Sequence, residues 1–223
     1  MPVTELHRDY ETMKNKKTFI FMLRHAEKKI HPNNSTENSI SITKKGKIES
    51  EIFGREFARI YHKISFIKSS PIKRCMNTAE FILKGATQCL KILTSANLGN
   101  PGAFVIDAKI AGENFSKYGV EKVLQKQLEG KNLPGMRDIK NGVKLLLTEI
   151  LEDLENLNGI GLYITHDAIL APFLCYLTNT SITPNCWFRF LDGIYIWKEN
   201  KDEVFLLWME QLFDITDKVN ELF

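Results

Sequence analysis

An arginine and a histidine stand side by side where an apolar run ends, in Phe19-Ile20-Phe21-Met22-Leu23-Arg24-His25-Ala26-Glu27-Lys28. The run reads as a buried β-strand that carries cationic and nucleophilic groups to its C-terminal end, the end at which open α/β sheets bind ligands. A second apolar run, Ile160-Gly161-Leu162-Tyr163-Ile164-Thr165, breaks in the same way at His166-Asp167. Two strands that each end in a histidine imply one shared site.

A third fragment joins them. Phe66-Ile67-Lys68-Ser69-Ser70-Pro71-Ile72-Lys73-Arg74-Cys75-Met76-Asn77-Thr78-Ala79-Glu80 reads as a strand, a Ser-Ser-Pro break and a helix with Arg74 near its start. With Arg24-His25 early, Ser-Ser-Pro-x-x-Arg-x-x-x-Thr-Ala in the middle and a strand ending in His166 late, the sequence resembles the histidine phosphatase superfamily. That superfamily joins phosphoglycerate-mutase-like and acid-phosphatase-like proteins. The resemblance runs from about Thr18 to Leu177 and rests on three motifs in the right order.

The chemistry implied is attack on a phosphomonoester. Such a group carries nearly two negative charges, so its site needs fixed cations, a nucleophile and an acid for the leaving oxygen. Arg24 and Arg74 suit the first task, because a planar guanidinium grips phosphate oxygens in two places, and the resemblance puts both in the phosphate pocket. It makes His25 the nucleophile that forms a phosphohistidine, with an acceptor, such as a backbone carbonyl, on its other ring nitrogen to fix the tautomer. His166 would hold the transferring phosphoryl group as a donor. His7, His31 and His62 terminate no buried strand and are given no role.

Two residues compete for the acid. In the acid-phosphatase branch an aspartate directly after the second histidine serves, and Asp167 stands there. In the mutase-like branch a glutamate of the middle insertion serves, for which Glu113 is the candidate. Asp167 is favoured, although it also suits the N-cap of the following helix. Lys28 departs from the acid-phosphatase pattern, which has arginine at that position; its ammonium meets phosphate as a point charge without the fork. The glycine that usually follows the nucleophile is Ala26.

Hydrolysis is the better reading. The sequence after Lys28 does not resemble the mutase pattern, and a non-catalytic phosphate-binding module would not need both arginines, both histidines and an acid. No Cys-x5-Arg or P-loop is present. No histidine pair or carboxylate cluster has metal spacing, so neither a metal nor another cofactor is expected.

Composition fits such an enzyme. The chain has 223 residues, 43% of them hydrophobic and 26% charged, as in soluble globular proteins. A net charge of +3 is too small to argue for nucleic acid. No run is long enough to span a bilayer, and the polar Met1 to Lys17 segment with the short run after it lacks a signal-peptide core. Cys75, Cys89, Cys175 and Cys186 show neither close pairing nor metal spacing, which suits reduced thiols in a cytoplasmic protein. The expected partner is a small phosphorylated molecule; nothing in the sequence fixes the oligomeric state.

To position these groups, strands must alternate with helices, which predicts a three-layer α/β/α sandwich with a largely parallel central sheet. The whole chain reads as one domain. Thr43 and Asp138 are expected to cap long amphipathic helices, with Gly159 ending the second. A helix is expected over Ala168 to Leu177, with Pro172 near its first turn. Trp187 to Trp197 and Val204 to Trp208 are expected to form an antiparallel edge hairpin. Ala103 to Asn132, helical only in its second half, is expected to be a small cap insertion beside the site.

Overall fold

Strand β1 (Phe19–Arg24) shows how the sheet is filled. Ile20 and Met22 belong to one apolar cluster, and Phe19, Phe21 and Leu23 to another, as the two-residue period of a strand requires. Both faces of the strand are covered, which is why its sequence is continuously apolar. The structure, a computed structural model, describes residues 6, 8–29, 37–131, 133–182, 187–200 and 202–223. His7, His31, Cys186 and most of the loop expected over His31 to Ser39 lie outside the described residues, as do Asn132 and Lys201.

The other strands are β2 (Ile64–Ser69), β3 (Ile92–Thr94), β4 (Ile160–Thr165), β5 (Gly193–Glu199), β6 (Glu203–Trp208) and β7 (Gln211–Asp214). They form a seven-stranded sheet in the order β3-β2-β4-β1-β5-β6-β7. β1 to β4 run parallel, and β5 to β7 continue the sheet antiparallel. In the β1–β4 pair Arg24 lies opposite Thr165, so the next residues, His25 and His166, leave the sheet side by side.

One face is covered by helices α2 (Lys44–Tyr61) and α3 (Lys73–Gly85), which follow the short α1 (Tyr10–Met13). α2 contributes Phe53, Phe57 and Tyr61, and α3 contributes Cys75, Ala79 and Ile82. Thr43 caps α2 as expected, accepting from the Gly46 N–H at 2.9 Å. Then come α4 (Ala108–Tyr118), α5 (Val120–Leu128), α6 (Ile139–Asn156), α7 (Asp167–Thr178) and the short α8 (Thr216–Asn220). α6 and α7 cover the second face with stripes that include Val143, Leu146, Ile150, Leu170, Phe173 and Leu177. Asp138 caps α6 by accepting from the Asn141 N–H at 3.1 Å. Emptying one of these sites, as in Phe57→Ala, should cost roughly 3–5 kcal/mol.

Several details differ from the sequence reading. α6 stops at Asn156, and Gly159, at φ +128°, lies in the turn just before β4 rather than at the helix end. Pro172 sits in the second turn of α7, where its ring removes the hydrogen bond that would reach Ala168. The residue that caps α7 is His166, and Asp167 is its first helical residue. β5 begins at Gly193, not Trp187, and β7 lies outside the hairpin as the true edge strand. Leu191, at φ +63°, turns the preceding residues back, so that Leu191 donates to the Arg24 carbonyl and Asp192 accepts from the Arg24 N–H. The apolar residues before it line a loop beside the site.

The expected insertion is helical in both halves. α4 has Asp107 as N-cap, accepting from Lys109 and Ile110 at 2.9 and 3.0 Å. It buries only Ala111, so it carries no apolar stripe from which to read a helical period. Ala103 and Phe104, at the insertion's start, belong to the main core. No helix among the described residues is long and apolar enough to cross a membrane.

Candidate active site

His25 leaves the end of β1 with its N–H bonded to the Thr165 carbonyl at 2.9 Å. The Ala26 N–H donates to Thr78 Oγ1 at 3.0 Å, and Thr78 donates to the Arg74 carbonyl at 2.7 Å. The loop after β1 is thereby pinned to α3. His25 Nδ1 lies 2.7 Å from the Ala26 carbonyl oxygen. A carbonyl only accepts, so Nδ1 carries the proton and Nε2 presents a lone pair. Arg74 Nε–H meets that lone pair at 3.1 Å.

His166 is fixed in the opposite sense. Arg74 Nη2 lies 3.1 Å from its Nδ1, and guanidinium only donates, so Nδ1 accepts. Nε2–H then donates to Ser70 Oγ at 3.0 Å, and Ser70 passes its own hydrogen to the Gly99 carbonyl at 3.1 Å. Gly99, at φ +136°, backs directly onto the ring: a Cβ there would lie 2.5 Å from His166 Cδ2. The two imidazoles are 5.3 Å apart between centroids, with Arg74 bonded to both.

Burial, and next the Arg74 charge, push both histidines well below the ordinary value of 6.5. Each is a neutral imidazole near neutral pH. Arg24 and Lys28 act on both in the same direction. Cys75 lies behind His166, its Sγ 3.5 Å from Nε2; burial pushes this thiol up to about 12, so it stays protonated.

Arg24 is bound rather than loose. Nη1 donates to the Phe188 carbonyl at 2.6 Å, Nη2 pairs with Asp167 Oδ2 at 2.6 Å, and the guanidinium lies 4.4 Å from the Phe190 ring centroid. Among the described residues its buried Nε has no hydrogen-bond partner. Burial lowers its pKa, against the opposing pull of Asp167. Asp167 Oδ2 also accepts from Trp187 Nε1 at 3.1 Å, and Oδ1 accepts from the Ala168 N–H at 2.9 Å.

His25, His166, Arg24, Arg74, Lys28 and Asp167 all line one cavity of about 380 Å³. Glu113 does not: it is exposed on α4, whose Ala108, Ala111, Gly112 and Phe115 line the cavity instead. His62 lies exposed at the end of α2. Ser70 and Thr78 lie within the middle motif and Gly99 outside all three, and their links to His166 and Ala26 join segments far apart in sequence. Among the described residues no group of three or more His, Cys, Asp or Glu side chains is placed to hold a metal ion.

The family model of the histidine phosphatase superfamily (branch 1) matches residues 20–191, well over half of the chain. The chain belongs to this superfamily. No curated protein matches it in sequence. Among solved structures it is similar to YhfR of Bacillus stearothermophilus, at 13% identity and a TM-score of 0.62, over 89% of this chain and 99% of that one. A phosphoglycerate mutase of Bacillus anthracis str. Sterne gives 15% identity and a TM-score of 0.56, over 91% and 93% of the two chains. The protein histidine phosphatase SixA, solved with tungstate, gives 12% and 0.54, over 90% and 99%. At these identities the likeness is one of fold.

Proposed function

We propose that this histidine phosphatase family member is a cytoplasmic phosphomonoester hydrolase that acts on a small phosphorylated substrate through a phosphohistidine on His25, without a cofactor. The observation that carries the reading is the state of His25: its proton is held on Nδ1 by the Ala26 carbonyl, and the unprotonated Nε2 accepts from Arg74 at the edge of the cavity. A neutral imidazole with a fixed lone pair is a nucleophile ready at neutral pH.

The incoming phosphate competes for Arg74, which moves its donors from the two rings to the phosphoryl oxygens, and for Arg24, which exchanges Asp167 for the dianion. Nε2 then attacks phosphorus as the P–O bond to the leaving group breaks. Asp167, having lost its cation, takes up a proton as the substrate binds, from the substrate's monoanion or from water, and gives it to the leaving oxygen. Water attacks the phosphohistidine, returns a proton to Asp167 and releases inorganic phosphate with Nε2 free again. His166 offers Nδ1 as an acceptor to Arg74, so its role as a donor to the phosphoryl group requires it to take up a proton when the dianion binds.

Glu113 is the weaker candidate acid because it faces away from the cavity. Transfer of a mutase type is disfavoured by the sequence after Lys28. The test is hydrolysis of an aryl phosphate with a chelator present. Undiminished turnover is expected, and loss that a divalent ion restores would overturn the metal-independent mechanism.

A further inference from the structure

The cavity extends well beyond the phosphate end, and its two ends differ in chemistry. The lining cations are Arg24, Lys28 and Arg74; Arg74 is bonded to both imidazoles, Arg24 to Asp167, and the charges of all three act on the imidazole pair. The walls beyond them are apolar: Ile72, Pro101, Val105, Ala111, Phe115 and Val120. Asn38 and Asn100 are the uncharged polar exceptions among the lining residues. Under α4 and α5 a second cavity of about 100 Å³ shares Ile72, Pro101, Val105 and Phe115 and adds Leu124 and Met136.

The lysines of these two helices line neither cavity. Lys109, Lys117 and Lys122 are exposed, and Lys117 and Lys126 lie 4.9 and 5.6 Å from the Tyr118 ring. A second anionic group on a substrate, such as a carboxylate or another phosphate, would find no cation among the described residues of the far walls. An ion moved from water to such walls loses its hydration without a partner.

We propose that this region is a leaving-group chamber that takes an uncharged apolar moiety, aryl or branched and linear alkyl, and rejects substrates with a second negative charge. The proposal rests on the phosphohydrolase reading for the phosphate end and deepens it at the other. Reactivity differences among leaving groups would blur a kinetic test, so non-hydrolysable phosphonates are the better probes.

The experiment is calorimetric titration of the whole chain with ethyl-, butyl- and hexylphosphonate and with a hexyl chain ended by a carboxylate. Affinity should rise on the order of threefold per methylene until the chamber is full, and the carboxylate-ended probe should bind at least about tenfold more weakly than hexylphosphonate. Phe115→Asn and Val120→Asp should each flatten the chain-length dependence, read as a ratio to the same variant's affinity for inorganic phosphate. A flat series in the wild type, tighter binding of the carboxylate-ended probe, or phosphate binding without phosphonate binding would overturn the chamber. Phosphonates have no leaving group, so these results do not depend on turnover. Failure of the phosphohistidine reading shows separately, as absence of label on His25.

Discussion

On the floor of the cavity, at the ends of β1 and β4, His25, His166, Arg24 and Arg74 are held by hydrogen bonds to Ala26, Ser70, Phe188 and one another. The wall from α4 and α5 meets the same cavity with Ala111, Phe115 and Val120, side chains that make no hydrogen bonds at all. The floor is set by strand register and by directional contacts, so it responds to changes that conserve size and even charge. The wall works by shape and apolar area, which tolerate substitution of similar volume. On the proposed function, chemistry is concentrated in the first region and selectivity in the second.

The largest effect expected on the floor is at Asp167. If it is the proton donor, Asp167→Asn should slow hydrolysis of alkyl phosphates by on the order of 10² to 10⁴ while sparing activated aryl phosphates. Glu113→Gln, on the outer side of the wall, should do little to either. A uniform loss across leaving groups would instead reduce Asp167 to the anchor of Arg24, and leaving-group dependence in Glu113→Gln would move the acid to the wall.

Arg74→Lys should lower kcat/KM by on the order of 10² to 10³, because an ammonium cannot bridge two imidazoles and then grip two phosphate oxygens. Steady-state kinetics on an aryl phosphate reads this directly. Turnover at the wild-type level would place Arg74 outside the chemistry and break the contrast between floor and wall.

Ser70→Ala should cost less, on the order of tenfold, since it removes the acceptor of the His166 Nε2–H without removing the ring. Nitrogen chemical shifts of His166 should show the Nε2–H form in both proteins, because Arg74 still donates to Nδ1, with the Nε2 resonance moved in the variant by loss of its acceptor. An Nε2 resonance that the substitution leaves in place would show that Ser70 does not position the ring.

The smallest effect is on stability. His25 and His166 have folded-state pKa values below the unfolded value of about 6.5, so between those values the unfolded chain binds more protons. Stability should therefore be insensitive to these groups above pH 6.5 and decline as pH falls below it. Urea midpoints measured across that range should fall less steeply in a His166→Gln variant. An identical slope would mean that the ring is already protonated when folded.

The floor was legible in the sequence because strand ends and motif spacing are local signals. Phe19 to Arg24 and Ile160 to Thr165 name their strands by continuous apolarity, and the residue after each is the histidine. What escaped was whatever depends on tertiary partners. Ser70 and Gly99 reach His166 from separate loops, and α4 buries only one residue, so no period marks it. Trp187 to Leu191 carry a strand-like composition but are turned back by Leu191, so that Trp187, the Phe188 carbonyl and the Phe190 ring contact Asp167 and Arg24. Asp167 reads as the favoured acid and a suitable helix cap, but its ties through Oδ2 to Arg24 and Trp187 depend on tertiary partners that the sequence does not show.

The account stands or falls on His25 as the nucleophile. Brief exposure to a phosphorus-labelled substrate, followed by rapid quenching in alkali, should trap the label on His25, and acid treatment should release it, as phosphohistidine is acid-labile. The His25→Ala variant should carry no label. Label that persists in that variant, or that survives acid in the wild type, would contradict the mechanism.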